Sequence, residues 1–285
     1  MSPRPLPEGF KDMQRAAWSA AAEPWERWWR VFEHGAQRLN ERLVEWSGAR
    51  SGSRVLDIAS GLGEPGLTAS RVVGPSGVVV GVDFAPDMVA RARRRAAQAG
   101  ASQVRFVEAD AELLDLGGER FDSALSRWGY MLMPDPARAL RATRAHLAAG
   151  APLALSWWAE AARAPFLAVQ SEACHLAFGS PLPHEDLPGP MRFGRVGAME
   201  ERLREAGFAV ERVEELELEF GFASLEECLD FEREMSSQWK KGVEEHGAAA
   251  GERALRHMRA GLARFVRADG AVRLPGVVRV ALARA

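Results

Sequence analysis

Three acidic residues each follow a short apolar run, and the first of them precedes a glycine-rich turn. The first run is followed closely by the turn, V-L-D-I-A-S-G-L-G-E-P-G, in which Asp57 stands ahead of Gly61 and Gly63. The second run is V-V-V-G-V-D-F, with Asp83, and the third leads into V-E-A-D-A-E, with Asp110. Carboxylates can accept hydrogen bonds from hydroxyl and amino groups and can attract a cation. These residues therefore predict a ligand site.

The glycines alone do not identify that ligand. Gly61, Gly63 and Gly66 match G-x-G-x-x-G, the pattern of a loop that holds a dinucleotide pyrophosphate. However, the carboxylate of Asp57 would repel a pyrophosphate and oppose the attraction of a helix N-terminus. S-adenosylmethionine carries a sulfonium and an ammonium and has no phosphate, so an acid beside the turn favours it.

The other two acids fit the same ligand. Asp83 ends the second apolar run, where an acid can accept both ribose hydroxyls, although dinucleotide sites also use an acid there. Asp110 ends the third run and can accept the adenine amine. The alternative is that each acid is a solvated loop carboxylate. Three acids in register with one glycine turn favour the ligand site.

These acids need a sheet that brings the ends of three strands together. Apolar runs over 54–59, 78–84, 104–108, 121–126 and 152–158 alternate with helical patterns over 65–73, 86–98 and 135–149. Strands over 208–220 and at the end of the chain bring the number to seven. The pattern predicts an α/β fold with a doubly wound, Rossmann-like, mostly parallel seven-stranded sheet, which binds ligands beyond the carboxyl ends of its strands.

The remaining segments frame this sheet. Residues 1–50 are expected to form a helical lid, 51–158 the cofactor-binding core, and 159–285 helical substrate-cap insertions together with the final strands of the same sheet. In the first segment Pro24 is a natural break or first-turn residue. Trp25 and Trp29 share one helix face with Trp28 and Phe32. That face either packs on the core or closes over a ligand, and different rings can do each.

The successive motifs V-L-D-I-A-S-G-L-G-E-P-G, G-V-D-F-A-P-D-M and F-V-E-A-D-A-E resemble the cofactor motifs of class I S-adenosylmethionine-dependent methyltransferases. The ubiquinone/menaquinone-biosynthesis group and its natural-product relatives are the most similar. The resemblance covers residues 54–158. The sequence departs from the usual pattern at Pro65–Gly66, and at Ala85, where a Ser or Thr cap is frequent.

The resemblance implies which residues bind the cofactor. Ser60 is counted with them because it lies within the first motif. The implied set is Asp57, Ser60, Gly61 and Gly63 at the methionyl group, Asp83 on the ribose, Phe84 and Met88 near the adenine, Asp110 and Ala111 at the adenine edge, and Ser126 and Arg127 below the methionyl group.

Methyl transfer from a sulfonium depends mainly on positioning, so the catalytic residue is hard to recognise. Tyr130 follows the fourth strand and is the single tyrosine, so it is a candidate to orient or deprotonate an acceptor; packing is its alternative role. His34 in the lid and His175 in the insertion are candidate bases, with surface positions as the alternative. No metal site is expected.

The acceptor is expected to be apolar. The segment S-R-W-G-Y-M-L-M-P after the fourth strand lacks the N-P-P-Y or D-P-P-Y of enzymes that methylate planar amino groups. Trp128 and Met131 instead suggest an adaptable apolar wall. Trp25 and Trp29 of the lid join them as predicted substrate-binding residues. A quinone, polyketide or terpenoid-like metabolite would fit such a site.

Bulk composition excludes other classes. The 285 residues have a formal net charge of −2, which gives no general attraction to nucleic acid, and the two cysteines form no C-x-x-C pair. No apolar leader or run of about 18 apolar residues is present, so we expect no membrane span and a cytoplasmic location. The excess of Arg over Lys suggests GC-rich, bacterial codon usage. A homodimer remains an open alternative to a monomer.

The expected function is S-adenosylmethionine-dependent transfer of a methyl group to a small molecule, by in-line displacement. A methyltransferase-fold cyclase or isomerase would bind the cofactor in the same way and use its charge without transferring the methyl group. The sequence does not distinguish these two activities. A nucleic-acid methyltransferase and a non-catalytic scaffold are the remaining alternatives, and the charge argues against the former.

Overall fold

The first five strands of the chain lie side by side and run parallel. They are β1 (Arg54–Ile58), β2 (Val78–Asp83), β3 (Val104–Glu108), β4 (Ser123–Arg127) and β5 (Pro152–Trp158). These bounds come from a computed structural model, which describes residues 6–285. Residues 1–5, at the start of the predicted 1–50 lid, lie outside the described part of the chain.

Two long strands complete the sheet. They are β6 (Ala209–Phe222) and β7 (Val272–Arg284). Strand β7 runs antiparallel to β5 on one side and to β6 on the other, which gives the order β3-β2-β1-β4-β5-β7-β6. The predicted α/β class and the mostly parallel seven-stranded sheet are confirmed. Because β6 and β7 lie in the predicted 159–285 segment, that segment shares the sheet with the core.

Ten α-helices within the described residues surround the sheet. They are α1 (Phe10–Arg27), α2 (Trp29–Trp46), α3 (Gly66–Val73), α4 (Pro86–Gln98), α5 (Pro136–Ala145), α6 (Pro165–Phe178), α7 (Ala198–Glu205), α8 (Leu225–Met235), α9 (Ser237–His246) and α10 (Ala248–Leu262). Three of them begin with a proline at the first helical position, where the missing N–H costs nothing. None of these helices is both long and apolar enough to cross a membrane.

The strand register brings the ends of the parallel strands to one edge. Strand β1 pairs with β2 so that Asp57 is opposite Gly81, and β2 pairs with β3 so that Asp83 is opposite Glu108. The central strands are buried on both faces, as their runs of Val, Leu and Ile predict. The loops after β1, β2 and β4 therefore meet above the middle of the sheet, where β1 lies between β2 and β4.

The N-terminal helices differ from the prediction at one point. Pro24 lies inside α1, and the interruption between α1 and α2 occurs four residues later, at Trp28. A proline removes only its own N–H from the helix ladder, and the N–H of Trp28 still donates to the carbonyl of Pro24 at 3.0 Å. The change of direction at Trp28 allows α1 to pack on α4 and α2 to pack on β6.

Candidate active site

Asp83 holds the glycine turn after β1 in place. Its Oδ2 accepts a hydrogen bond from the N–H of Gly61 at 2.9 Å, and its Oδ1 accepts one from Ala85 at 3.0 Å. Gly61 has φ +50°, a left-handed conformation that suits glycine, and a Cβ built on it would have no atom within 4 Å. The turn therefore presents an open stretch of backbone beside a buried carboxylate.

Asp57 lies fully buried beneath the same turn. Its Oδ2 accepts the N–H of Gly66 at 2.8 Å, at the start of α3, whereas its Oδ1 has no hydrogen-bond partner. The buried hydroxyl of Ser60 also has no partner. Burial raises the pKa of Asp57 to about 8, although the hydrogen bond from Gly66 and the positive charge of Arg127 oppose this. A buried carboxylate oxygen without a partner predicts a cationic ligand.

Met88 connects the core to the lid. It packs in a buried cluster with Ala22, Leu62 and Ala85. The partly buried side chains packed against that cluster are Trp18, Ala21, Trp25, Trp29 and Phe84. The predicted adenine-side residues and the predicted lid residues thus meet in one place, above the end of β2.

Asp110 is covered by the beginning of α1. Its Oδ2 accepts a hydrogen bond from the ammonium of Lys11, and its Oδ1 accepts one from the N–H of Glu112 at 2.9 Å. Ala111, buried beside it, begins a short 3₁₀ turn. Arg15, one turn further along α1, donates to the carbonyl of Phe84 at 2.8 Å. The predicted adenine edge therefore lies directly under α1.

The two residues predicted to lie below the methionyl group serve different elements. The buried hydroxyl of Ser126 donates to the carbonyl of Ile58 at 3.0 Å and so joins β4 to β1. The guanidinium of Arg127 donates to Glu33 and Asn40, which both lie on α2. The side chain of Ser126 is thereby occupied within the sheet, while that of Arg127 links the core to the lid.

Trp128 belongs to a buried aromatic cluster. We define this aromatic cluster as Phe32, Trp128, Trp158, Phe166, Phe220 and Phe231. Trp128 stacks on Trp158 with centroids 5.0 Å apart, and Phe166 stacks on Phe220 at 3.8 Å. Trp25 of the lid stacks on Phe32 at 4.1 Å. The cluster joins the ends of β4 and β5 to α2, α6 and α8.

The other predicted substrate residues are placed differently. Trp29 lies under the guanidinium of Arg95, which is 4.6 Å from its ring centroid. Met131 is buried, and its carbonyl accepts the N–H of Gly189 at 3.0 Å. Of the four predicted residues, Trp25 and Trp128 are therefore connected through the aromatic cluster, and Trp29 lies on the cofactor side.

A catalytic role for Tyr130 does not agree with its position. Its hydroxyl is 2.8 Å from the Oγ1 of Thr143 in α5, and the side chain is fully buried. Burial raises the pKa of the hydroxyl, with the hydrogen bond between Tyr130 and Thr143 as the smaller opposing effect. The residue packs α5 against the sheet, which was the alternative that the sequence left open.

The two histidine candidates are exposed to solvent. His34 is exposed on α2, next to Glu33, which lies on the buried face. His175 is exposed near the end of α6, and its Nδ1 is 2.8 Å from the carbonyl of Ser180. Both therefore take the surface positions that were their alternatives. Among residues 6–285 there is also no group of three residues able to hold a metal ion.

The predicted site included Arg127 but not Glu33, Glu64 or Arg95, whose charges also lie near Asp57. The positive charge of Arg127 lowers the pKa of Asp57, whereas the negative charge of Glu64 in the turn raises it. Burial raises the pKa of Glu64, and the negative charge of Glu33 raises it further. Burial lowers the pKa of Arg95 of α4, and the charges of Glu33 and Glu64 oppose this effect. The sequence pattern could have indicated Glu33 and Asn40. They are seven positions apart and therefore share the face of α2 that is otherwise apolar, where polar residues need buried partners.

These features fit S-adenosylmethionine. Asp57 and Ser60 have buried oxygens without a hydrogen-bond partner where the methionyl end was predicted, and the backbone at Gly61 is open. Asp83 lies at the end of β2, where the ribose was predicted. The excess of carboxylates around the turn disfavours a pyrophosphate.

Sequence comparison identifies the same region. A family described as a methyltransferase domain matches residues 49–175. A ubiquinone/menaquinone biosynthesis C-methyltransferase, UbiE, of Pseudomonas putida is 40% identical over 113 residues, which are 39% of this chain and 44% of that protein. The UbiE of Azotobacter vinelandii is 42% identical over 113 residues, 39% of this chain and 45% of that one. The chain thus spans less than half the length of these relatives.

Solved structures extend the likeness to most of the chain. A putative methyltransferase from Bacillus halodurans has a TM-score of 0.56 at 19% identity and covers 86% of this chain and 97% of its own. The [4+2]-cyclase SpnF has a TM-score of 0.54 at 20% identity and covers 87% of this chain and 80% of its own. At such identities the likeness concerns the fold. The comparisons thus show that residues 49–175 match a methyltransferase domain and that the fold of the chain is similar to that of these solved structures.

Proposed function

We propose that the protein transfers the methyl group of S-adenosylmethionine to an apolar or aromatic small molecule. The observation that carries the proposal is the buried Asp57, whose second carboxylate oxygen has no partner beneath an open glycine turn. A cationic ligand would satisfy that oxygen and favour the charged form of the acid. The ammonium or sulfonium of the methionyl group has the required charge.

Other residues of the chain would bind and orient the rest of the cofactor. Asp83 would accept the ribose hydroxyls, Asp110 would accept the adenine amine, and Met88 would pack against the base. The cofactor, when bound, supplies an electrophilic methyl group on a positively charged sulfur. The lid helix α1 would exclude water from this pocket, since its side chains lie over Met88 and Asp110.

The aromatic cluster supports an apolar acceptor. One member, Trp128, is the residue directly after Arg127 in the chain. Two others, Phe166 and Phe231, lie on helices of the predicted cap. Aromatic side chains pack well against planar apolar molecules. A quinone, polyketide or terpenoid-like metabolite would match the apolar character of this end of the sheet. The UbiE relatives are named ubiquinone/menaquinone biosynthesis C-methyltransferases, so a quinone-type ring is the first acceptor to test.

Cofactor binding is the first experiment. Isothermal titration calorimetry should detect S-adenosylmethionine and its demethylated product, and Asp83→Ala should weaken both by about tenfold or more, because hydrogen bonds to a carboxylate are lost. Asp87→Ala, an exposed acid four residues further along the chain, is the matched control. The absence of binding by folded wild-type protein would refute the proposal.

Turnover is the second experiment. The protein would be incubated with methyl-labelled cofactor and a panel of demethylated quinols, phenols and hydroxylated polyketide-like aromatics. Methyl transfer requires one demethylated cofactor for each methylated product. In each event a bond forms between the acceptor and the methyl carbon, the carbon–sulfur bond breaks toward sulfur, and the acceptor loses a proton.

A cyclase or isomerase is the second candidate function. One observation favours it: of the three candidate bases, Tyr130 is buried with its hydroxyl beside Thr143, and His34 and His175 are exposed. A site that holds a fixed positive charge and lacks a base could promote ring closure by electrostatic stabilisation. Product formed without demethylated cofactor would establish this activity.

The cellular context is proposed from composition alone. We infer a cytoplasmic, bacterial, natural-product role with a small molecule as the binding partner and without nucleic acid, and a homodimer as one open assembly. Light scattering would determine the assembly, and titration with RNA at low and high salt would test the exclusion of nucleic acid.

A further inference from the structure

A closed ring of hydrogen bonds links the lid to the core beside Asp57. Oε1 of Glu33 accepts from Nη2 of Arg127 at 3.1 Å, and Oε2 of Glu33 accepts from Nδ2 of Asn40 at 3.0 Å. Nη1 of Arg127 completes the ring by donating to Oδ1 of Asn40 at 2.9 Å. The side chains of Glu33 and Arg127 are 11% and 10% exposed, so the ion pair is well shielded from water.

The charges near this ring do not balance. Four buried or nearly buried carboxyl groups stand against two guanidinium groups. The carboxyl groups are those of Glu33, Asp57, Glu64 and Asp83, and the guanidinium groups are those of Arg95 and Arg127. Uncompensated buried charge is costly, so burial raises the pKa values of Asp57, Glu64 and Asp83, and a ligand that brings positive charge favours their charged forms.

The two forms of the cofactor differ in this property. The methionyl end of S-adenosylmethionine has an ammonium, a carboxylate and a sulfonium, which together leave one positive charge. The demethylated product has a neutral thioether and is neutral overall at this end. The excess of carboxylates would therefore attract the substrate form more strongly than the product form.

Glu33 differs from the other carboxylates because it belongs to the lid. Glu33 lies on α2, whereas Asp57 lies on β1, Glu64 in the turn after β1, and Asp83 at the end of β2. Helix α2 packs against the sheet through its buried face, and this packing brings the carboxylate of Glu33 to Arg127.

We propose that Glu33 is a positioning residue whose charge, held beside the site by Arg127 and Asn40, makes the site select the positively charged cofactor over its neutral demethylated product. This inference rests on the proposed function and concerns the same site. After methyl transfer the positive charge of the ligand is lost, and the carboxyl groups around the site then hold the neutral product less tightly than the cofactor.

Three ligands and four proteins test this proposal by calorimetry. The ligands are S-adenosylmethionine, the demethylated thioether, and the non-reactive analogue in which a protonated amine replaces the methyl sulfonium. The proteins are the wild type, Glu33→Gln, Glu33→Asp and Glu41→Gln. Glu41 lies on the exposed side of the same helix, so its substitution removes an equal charge away from the site.

The expected result is a change in selectivity. Glu33→Gln should weaken binding of the two positively charged ligands about five- to tenfold more than binding of the thioether. Glu33→Asp should retain most of the selectivity because it keeps the charge, and Glu41→Gln should leave all three affinities unchanged. Thermal unfolding without ligand verifies that each variant is folded.

Other outcomes separate this inference from the proposed function. Equal weakening of all three ligands by Glu33→Gln would show a purely structural role and overturn the inference, while leaving the cofactor site intact. Absence of binding of every ligand by the wild type would overturn the proposed function as well. If Glu33→Gln does not fold, wild-type protein still decides: an amine analogue that binds no more tightly than the thioether would overturn the inference.

Discussion

The ammonium of Lys11 lies 2.7 Å from a carboxylate oxygen of Asp110, and the same ammonium is 2.6 Å from Glu112. Partial burial lowers the pKa of Lys11, but its hydrogen bonds to Asp110 and Glu112 outweigh this effect and leave the pKa above its ordinary value. Arg15 forms a further ion pair with Glu108 at 2.6 Å. The beginning of α1 is thus held by ion pairs to the strand end that was predicted to bind adenine.

These ion pairs predict a lid that controls cofactor exchange. The double variant Lys11→Met/Arg15→Met should accelerate cofactor dissociation about three- to tenfold, since partly exposed ion pairs contribute about 1 kcal/mol or less each. Stopped-flow fluorescence of the lid tryptophans measures the rate. Arg30→Met, at an exposed position of α2, is the control for charge. Equal acceleration by the control would contradict a specific role for the two pairs.

Binding of the cofactor should release a proton. Burial raises the pKa of Asp57 to about 8, so much of the free protein holds a neutral acid at neutral pH, whereas a cationic ligand favours the carboxylate. Affinity should therefore rise between about pH 6 and pH 8 and level off above. Calorimetry in buffers of different ionisation enthalpy measures the proton. Asp57→Asn should bind more weakly and without this pH dependence; proton uptake by the wild type would contradict the assignment.

Alanine substitutions of Gly61 and Gly66 should affect cofactor affinity and folding stability differently. Gly61→Ala places a methyl group in open space at a left-handed backbone, which costs about 1–2 kcal/mol of stability, and it should reduce cofactor affinity about tenfold or more. A methyl group at Gly66 would lie 2.8 Å from Oδ2 of Asp57, so Gly66→Ala should mainly lower folding stability, by about 1–3 kcal/mol. Urea unfolding and calorimetry on both variants separate the effects. Unchanged affinity in Gly61→Ala would argue against ligand approach at this turn.

Tyr130→Phe should leave turnover within about twofold of the wild type. The hydroxyl is buried against Thr143, so its removal should instead cost about 1 kcal/mol of stability. Steady-state kinetics together with chemical denaturation measure both quantities. A loss of turnover of about a hundredfold in a protein of normal stability would restore a catalytic role for this hydroxyl.

Glu232 in α8 predicts a pH-dependent stability of the cap. The carboxyl group is buried, its Oε1 has no hydrogen-bond partner, and burial raises its pKa to about 8. A raised pKa stabilises the folded protein fully at acidic pH, and this contribution is lost as the pH rises through about 8. Glu232→Gln should therefore be more stable than the wild type at about pH 9, by about 1–3 kcal/mol, with a smaller difference at about pH 5.

Denaturation of both proteins across this pH range provides the measurement. Glu244→Gln, at an exposed position of α9, is the control for the removal of one carboxylate. A stability difference between Glu232→Gln and the wild type that did not change with pH would contradict a buried, titrating acid.

The sequence by itself determined the parallel half of the fold and the chemistry of the cofactor site. Strands 104–108 and 152–158 and helix 86–98 have the predicted bounds, because runs of Val and Leu and the 3.6-residue period are local properties of the chain. The acids Asp57 and Asp83 could be assigned to one edge because parallel strands always end together. The N-terminal helices were predicted less well. The 3.6-residue period predicted helical structure there and Pro24 a possible break, but the interruption lies at Trp28, between the helix that packs on α4 and the helix that packs on β6.

Only the tertiary structure decided which polar residues approach that edge from elsewhere. Glu33 and Arg127 are 94 positions apart and meet because α2 lies across the ends of the strands. The same packing turned Tyr130 toward Thr143 and left His34 and His175 on the surface. A polar residue has the same local pattern whether it faces water or a buried partner. Its role depends on burial and on the charge opposite it, and both arise only when distant elements pack together.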